Sequence, residues 1–188
     1  MASSSNLHRR SGAKTISEPA RSIREACGAI ERVDGLGVRP WAETDAPVLL
    51  AVWNDPVISR WNPVPPDPSL EFAASWIRGT SSQTVASIGI DVVVIDAEGN
   101  VVGEVGLQVD PAQGVAELGF WLHADARGRG CGRALLIMAE RLGEQLELAG
   151  LVALTDALND AANALLEKAG WTEVPTTSAR RAFARRLG

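Results

Sequence analysis

The stretch from Ser87 to His123 constrains the fold more than any other part of the chain. "SIGIDVVVID" and "VVGEVGLQV" are strand-patterned runs separated by the turn sequence "AEGN", which predicts a hairpin. After "DPAQG" a third such run, "VAELGFWLH", extends the hairpin into a meander. The chain then enters Arg127–Arg133, "RGRGCGR", with three glycines and three arginines in seven residues. A helix over roughly 130–149 follows, with Leu135, Met138, Leu142 and Leu146 on one face. Next come a short buried strand, "GLVALTD", and a helix in "NDAANALLEKAGW" stopped by Gly170. The arginine-rich end reads as a last strand.

Upstream, "AETDAPVLLAVWNDPVISRW" predicts one helix capped by Asp45 or Thr44, with Val48, Leu49 and Val52 as its apolar stripe. "NPVPPDPS" is a loop, because proline removes donors and fixes φ; Ser69 caps the helix "LEFAASWIRGT". The order of two helices, a meander, a helix, a strand, a helix and a strand predicts an α/β domain around one mixed sheet, over 36–188. Residues 1–35 read as an extension. Its Ser- and Arg-rich start reads as disordered, and "IREACGAIERV" as a short helix packed on the domain.

Charge is distributed unevenly. Residues 41–175 carry seven basic and nineteen acidic side chains, against a net −5 for all 188 residues. An acidic body disfavours nucleic acid and suits a cationic or amine partner. The longest apolar runs are far too short to span a membrane, and no signal peptide is visible. Cys27 and Cys131 give neither a disulfide framework nor a metal-ligand spacing. A cytoplasmic protein without a metal is the expectation.

The Gly-Arg loop is built for an anion. Glycines let successive amides turn inward, and the following helix start adds unpaired N–H groups and partial positive charge. Arg127, Arg129 and Arg133 add full charge, and a pyrophosphate is the natural guest. The P-loop pattern is absent. The dinucleotide pattern fails as well, because Arg133 stands where its third glycine belongs.

R-x-x-G-x-G, filled by Arg127, Gly130 and Gly132, resembles the acyl-CoA loop of the GNAT acetyltransferase superfamily. "NDAANALLEKAGW" is similar to the segment N-x-x-S-x-x-(apolar)-x-E-K-x-G-(aromatic) of the branch containing the ribosomal-protein N-terminal acetyltransferases. The resemblance covers roughly 36–186. It implies the GNAT fold, a mostly antiparallel sheet splayed where CoA binds and flanked by helices. It implies acetyl-CoA as cofactor, with backbone groups of Phe120, Trp121 and Leu122 on the pantetheine arm. Amides from Gly128 through Arg129, Gly130, Cys131 and Gly132 to Arg133 would hold the pyrophosphate. Asn159 would bond the pantetheine, and Asn163 or Lys168 the nucleotide end.

Acetyl transfer to an amine needs a base, because an alkyl ammonium has a pKa of about 10. Glu117 in the third strand is the first candidate, since the resemblance puts it at about the place where some GNAT members carry a catalytic glutamate and burial there would raise its pKa, and Glu104 is the second. Alternation puts Glu117, Trp121 and His123 on one strand face, a parity that a bulge would shift. His123 suits a backbone hydrogen bond better than proton transfer. No tyrosine is available to protonate the leaving thiolate, although a thiol pKa of about 8.5 lets water serve. Ala162 replaces the branch's serine. Trp53, Trp61 and Trp76 flank the proline loop, which the resemblance places at the border of the acceptor cleft, and with Asp55 are the candidate acceptor-binding residues. The expected function is N-acetyl transfer, in a ternary complex, to a small cationic molecule such as an aminoglycoside-type antibiotic, or to a protein N-terminus. The alternative is an acyl-CoA-binding regulatory module without catalysis. A homodimer is an open arrangement.

Overall fold

The computed structural model describes residues 22–188 except 81, 82, 85, 86, 177 and 178. The expectation of a disordered start falls on residues outside the described ones. Ser22 caps helix α1 (Ile23–Gly28) in a capping box with Glu25. This helix buries Ile23, Ala26 and Cys27, and burial pushes the Cys27 thiol up to about 11. Strand β1 (Gly37–Pro40) follows.

The single helix expected within 42–61 is two, α2 (Ala46–Trp53) and α3 (Pro56–Trp61). Pro56 has no N–H to continue the first helix, and the residue before a proline is driven out of the helical region. Asp55 accordingly sits at φ −73°, ψ 117° and caps α3 through the Val57 amide. Asp45 is the N-cap residue of α2, as expected, but its side chain makes no cap hydrogen bond. Its buried carboxylate accepts two hydrogen bonds from Arg39, at 2.6 and 2.9 Å, and one from Ala42 N. Ser69 does cap α4 (Leu70–Thr80), accepting from Phe72 N.

The meander forms as β2 (Gly89–Ile95), β3 (Val101–Asp110) and β4 (Val115–Leu122). Helix α5 (Cys131–Gln145), β5 (Gly150–Asp156), α6 (Asp160–Lys168), β6 (Thr172–Val174) and β7 (Arg180–Arg186) complete the chain. The sheet order is β1-β2-β3-β4-β5-β7-β6, with only β4 and β5 parallel.

The two sheet faces carry separate apolar clusters. One is closed by α1, α5 and α6 over Ile90, Val92, Val105, Leu107 and Leu118. Fully burying each side chain of this size contributes roughly 1.5–3 kcal/mol. The other is closed by α2, α3 and α4 over Val93 and Trp121. At the β7 end, Glu140 accepts from Trp171 Nε1 at 3.0 Å and pairs with Arg185, while Arg181 pairs with Glu167 and Glu173. Those arginines are therefore committed to ion pairs.

Candidate active site

Strands β4 and β5 pair only over Val115–Glu117 and then diverge. The β3–β4 register is unbroken, with Glu104 opposite Trp121 and Gly106 opposite Gly119. His123 N donates to Val102 O, so by alternation Trp121 and Gly119 also turn their backbone groups toward β3. The expected pantetheine contact from the Trp121 backbone is therefore corrected. Phe120 and Leu122 face the opening instead. Of these the Leu122 carbonyl already accepts from Arg127 Nε at 3.0 Å, which leaves its N–H.

The loop after β4 has the conformation that its glycines allow. Gly128 and Gly130 lie at φ +71° and +85°, where side chains are strained, and Gly130 is the N-cap of α5. Arg133 N is bonded to Gly130 O. Arg129 and Arg133 are exposed and make no ion pair among the described residues, so both can meet an anion. Cys131 is half-buried at the first position of the helix. Gly132 has a different task, since a Cβ there would lie 2.9 Å from Leu165 Cδ2 and its absence lets α5 pack on α6. Arg127 departs from expectation. Its guanidinium is spent on Leu122 O and on Asp55, at 2.5 Å, and so braces the loop against the α2–α3 corner.

Asn159 caps α6, accepting from Ala162 N, which leaves its amide nitrogen available. Asn163 is buried and fully occupied. Its Oδ1 accepts from the Thr155 hydroxyl at 2.6 Å, and its Nδ2 donates to Asp156 O and Ala157 O. The expected cofactor contact is thus replaced by a structural one. Asn163→Ala strands these partners at about 2–3 kcal/mol. Its Tm should fall by about 5–10 °C. An unchanged melting curve with weakened CoA affinity would contradict this assignment. Lys168 is exposed in the last turn of α6 and has no partner among the described residues.

On the face of the second cluster, Glu117, Gly119 and Trp121 of β4 stand beside Gln108, Gly106 and Glu104 of β3, and Asp91 and Val93 of β2. The expected burial of Glu117 is not found. It is exposed, opposite Gln108 on the open side of the sheet, so the physical reason for preferring it as the base is gone. The burial falls on Glu104. Part of its surface stays accessible, while protein atoms are dense around it. Desolvation first, and the nearby Asp91 charge second, push it up to about 8, while the indole groups of Trp121 and Trp41 oppose the rise.

Trp41 is 5 % exposed, and its Nε1 has no hydrogen-bond partner, the one such side-chain atom among the described residues. It lies close enough to Glu104 to favour the ionised form, but in a geometry that makes no bond of normal length and angle. Asp91 is also raised, by desolvation, while its bond from Gln83 Nε2 (2.9 Å) works the other way. The sequence reading missed both Asp91 and the Trp41 donor. The available signal was an aspartate interrupting an apolar strand.

The candidate acceptor residues separate into two groups. Trp53 and Trp76 join Trp41 and Trp121 in a chain of ring contacts 5.9–6.4 Å apart, which forms an aromatic wall beside Glu104. Trp61 stands apart at the end of α3, with Arg60 stacked 4.5 Å over its ring. Asp55 is occupied. Against some desolvation, Arg127 and the amides of Val57 and Ile58 hold its carboxyl below the usual range. His123 is also local, accepting from Asp125 N at 3.4 Å.

Residues 36–172 match the family described as acetyltransferase (GNAT) domain. No curated protein matches the chain. Among solved structures, the chain is similar to spermidine N-acetyltransferase from Vibrio cholerae in complex with CoA and spermine. The TM-score is 0.69 at 18% identity, over 81% of this chain and 94% of that one. It is also similar to Mycobacterium smegmatis RimJ in complex with CoA-disulfide, with TM-score 0.71 at 19% identity over 82% and 84%. A third likeness is to the microcin C7 self-immunity acetyltransferase MccE in complex with acetyl-CoA and AMP. Its TM-score is 0.68 at 16% identity, over 82% and 94%. At these identities the structures share the fold.

Proposed function

The chain belongs to the GNAT acetyltransferase domain family, and on that premise we propose that it moves an acetyl group from acetyl-CoA to a primary amine of a small cationic molecule, by direct attack in a ternary complex. The observation that carries this reading is Glu104, a crowded carboxylate with a pKa of about 8 on the acidic face beside the splayed strands. The neighbour bound to CoA and spermine is in keeping with a cationic acceptor. A protein N-terminus, the other acceptor class considered, would offer one ammonium to the same face.

The residues present fit acetyl-CoA. The splay leaves Phe120 backbone groups and the Leu122 N–H unpaired by β5, and the loop offers open amides at Gly128–Gly132 with unpaired Arg129 and Arg133. Asn159 has a spare amide donor one helix away. When bound, acetyl-CoA supplies the activated acyl thioester.

Glu104 accepts a proton from the incoming ammonium, directly or through one water, and so delivers a neutral amine. A base titrating near 8 is matched to that task, whereas an ordinary carboxylate is too weak. The Trp41 and Trp121 indoles favour the ionised form of the carboxylate. The wall through Trp76 and Trp53 offers ring faces to a cation.

The test is release of free thiol from acetyl-CoA as single amines are added. Amine-dependent release is expected. Tight CoA binding without release by any amine would favour the non-catalytic acyl-CoA module instead.

A further inference from the structure

Asp91 has no role in the reaction outlined above, yet it is arranged like a binding group. It stands opposite Gly106 on β3, and Gly106 stands opposite Gly119 on β4, so two neighbouring positions on this sheet face carry no side chain. A Cβ at Gly106 would lie 3.0 Å from Asp91 Oδ1 and 3.9 Å from Glu104 Oε1, whereas a Cβ at Gly119 would meet nothing within 4 Å. The two carboxylates therefore flank the bare Gly106 position, and among the described residues nothing crowds the neighbouring Gly119 position. No lysine or arginine stands on this face of β2, β3 or β4. Arg39, on the adjoining strand, is committed to Asp45. Gln83 grips Asp91 at both ends, its Oε1 accepting from the Asp91 amide and its Nε2 donating to the carboxylate, each at 2.9 Å.

The buried, unpartnered Trp41 N–H supplies an independent sign of an occupant. A protonated carboxyl offers one good acceptor oxygen, and a carboxylate offers two. The Trp41 and Trp121 indoles both lie beside Glu104 and favour its ionised form, although the Trp41 N–H remains unbonded. With a second carboxylate beside it, a cation at the pair favours that state.

We propose that Asp91 is the specificity-determining anion of the acceptor site, seating a second cationic group of the substrate while the reacting amine lies at Glu104. This rests on the acetyltransferase reading of the same site. Glu104 lies opposite Trp121, on the strand that borders the splay, and Asp91 lies one strand farther away and two positions along. Asp91 Oδ1 at 3.0 Å and Glu104 Oε1 at 3.9 Å from the same Gly106 Cβ position lie within about 7 Å of each other, the spacing of diagonal neighbours in a sheet. That separation fits two ammonium groups joined by three or four carbons.

The experiment compares 1,4-diaminobutane with n-butylamine, in wild type and Asp91→Asn. Asparagine keeps the shape and the Gln83 contacts and removes the charge. Wild type is expected to favour the diamine about tenfold or more in kcat/KM, chiefly through KM, and D91N is expected to erase most of that preference. Calorimetric binding of 1,4-diaminobutane to the CoA-loaded protein is the second readout, which needs no turnover, and should weaken about tenfold in D91N. An equal loss for both amines, or a preference that survives D91N, overturns the assignment. If wild type acetylates no amine, the acetyltransferase reading fails first. The diamine affinity and its loss in D91N then still decide whether Asp91 seats a cation.

Discussion

Gly130→Val is expected to weaken CoA binding by about 100-fold or more while the fold survives. Gly130 sits at φ +85°, and nothing lies within 4 Å of where its Cβ would be, so the damage comes from the backbone alone. Holding a non-glycine residue in this region costs about 1–3 kcal/mol, and a β-branched one is the worst case. The loop relieves that strain by turning, and its amides cease to converge on one anion. Each charge-assisted hydrogen bond lost is worth about 1.5–3 kcal/mol, so two suffice for the stated effect. Gly132→Ala is the contrast. Its Cβ would press on Leu165, 2.9 Å away, and lower the melting temperature as well as the affinity. Calorimetric titration with CoA alongside thermal melts separates the two. Wild-type affinity in Gly130→Val would remove the loop from the site.

The second large effect is that of Glu104→Gln. Losing a positioned base lowers kcat by about 10²–10⁴. Wild-type kcat/KM should rise with pH through about 8, where Glu104 ionises, and that limb should vanish in the variant while CoA affinity holds. Stability gives an independent readout. The folded protein keeps the Glu104 proton up to about 8, whereas the unfolded chain releases it near the ordinary 4.5. The native state therefore binds more protons between those values, and wild-type stability declines with rising pH across that window, by up to about 1.4 kcal/mol per unit. Glutamine carries no such charge, so Glu104→Gln should be the more stable protein at pH 8. Parallel stability curves and an unchanged rate profile would leave Glu104 without its role. Glu117→Gln, by contrast, is expected to alter turnover only slightly, since its carboxylate is exposed.

Much of the scaffold is legible because its signals are local. The "AEGN" hairpin, the helix stripe of Leu135, Met138 and Leu142, the Gly170 stop at φ +79° and the Ser69 cap all appear where short-range patterning puts them. Pro56 was equally visible, yet its power to split the second helix depended on the geometry of Asp55 before it. The site is less legible because it depends on register. Extending the Ile95–Val101 pairing down the hairpin would set Asp91 opposite Val105, on the closed core face. A one-residue shift between Val94 and Ile95 sets it opposite Gly106 instead, beside Glu104. The competition for side chains was equally hidden. Arg127 looked available to an anion and Asp55 to an amine until the fold joined them to each other. The same holds for Asn163, whose donors and acceptor are all claimed by Thr155 and two carbonyls.

The most direct test of acetyl transfer at Glu104 is the mass of both protein and amine after incubation with acetyl-CoA and 1,4-diaminobutane. Direct attack predicts one added acetyl on the amine, none retained on the protein or on Cys131, and a product yield cut by about 10²-fold or more in Glu104→Gln. An unmodified amine across the panel, or an acetyl group that accumulates on Cys131 before reaching the amine, would contradict it.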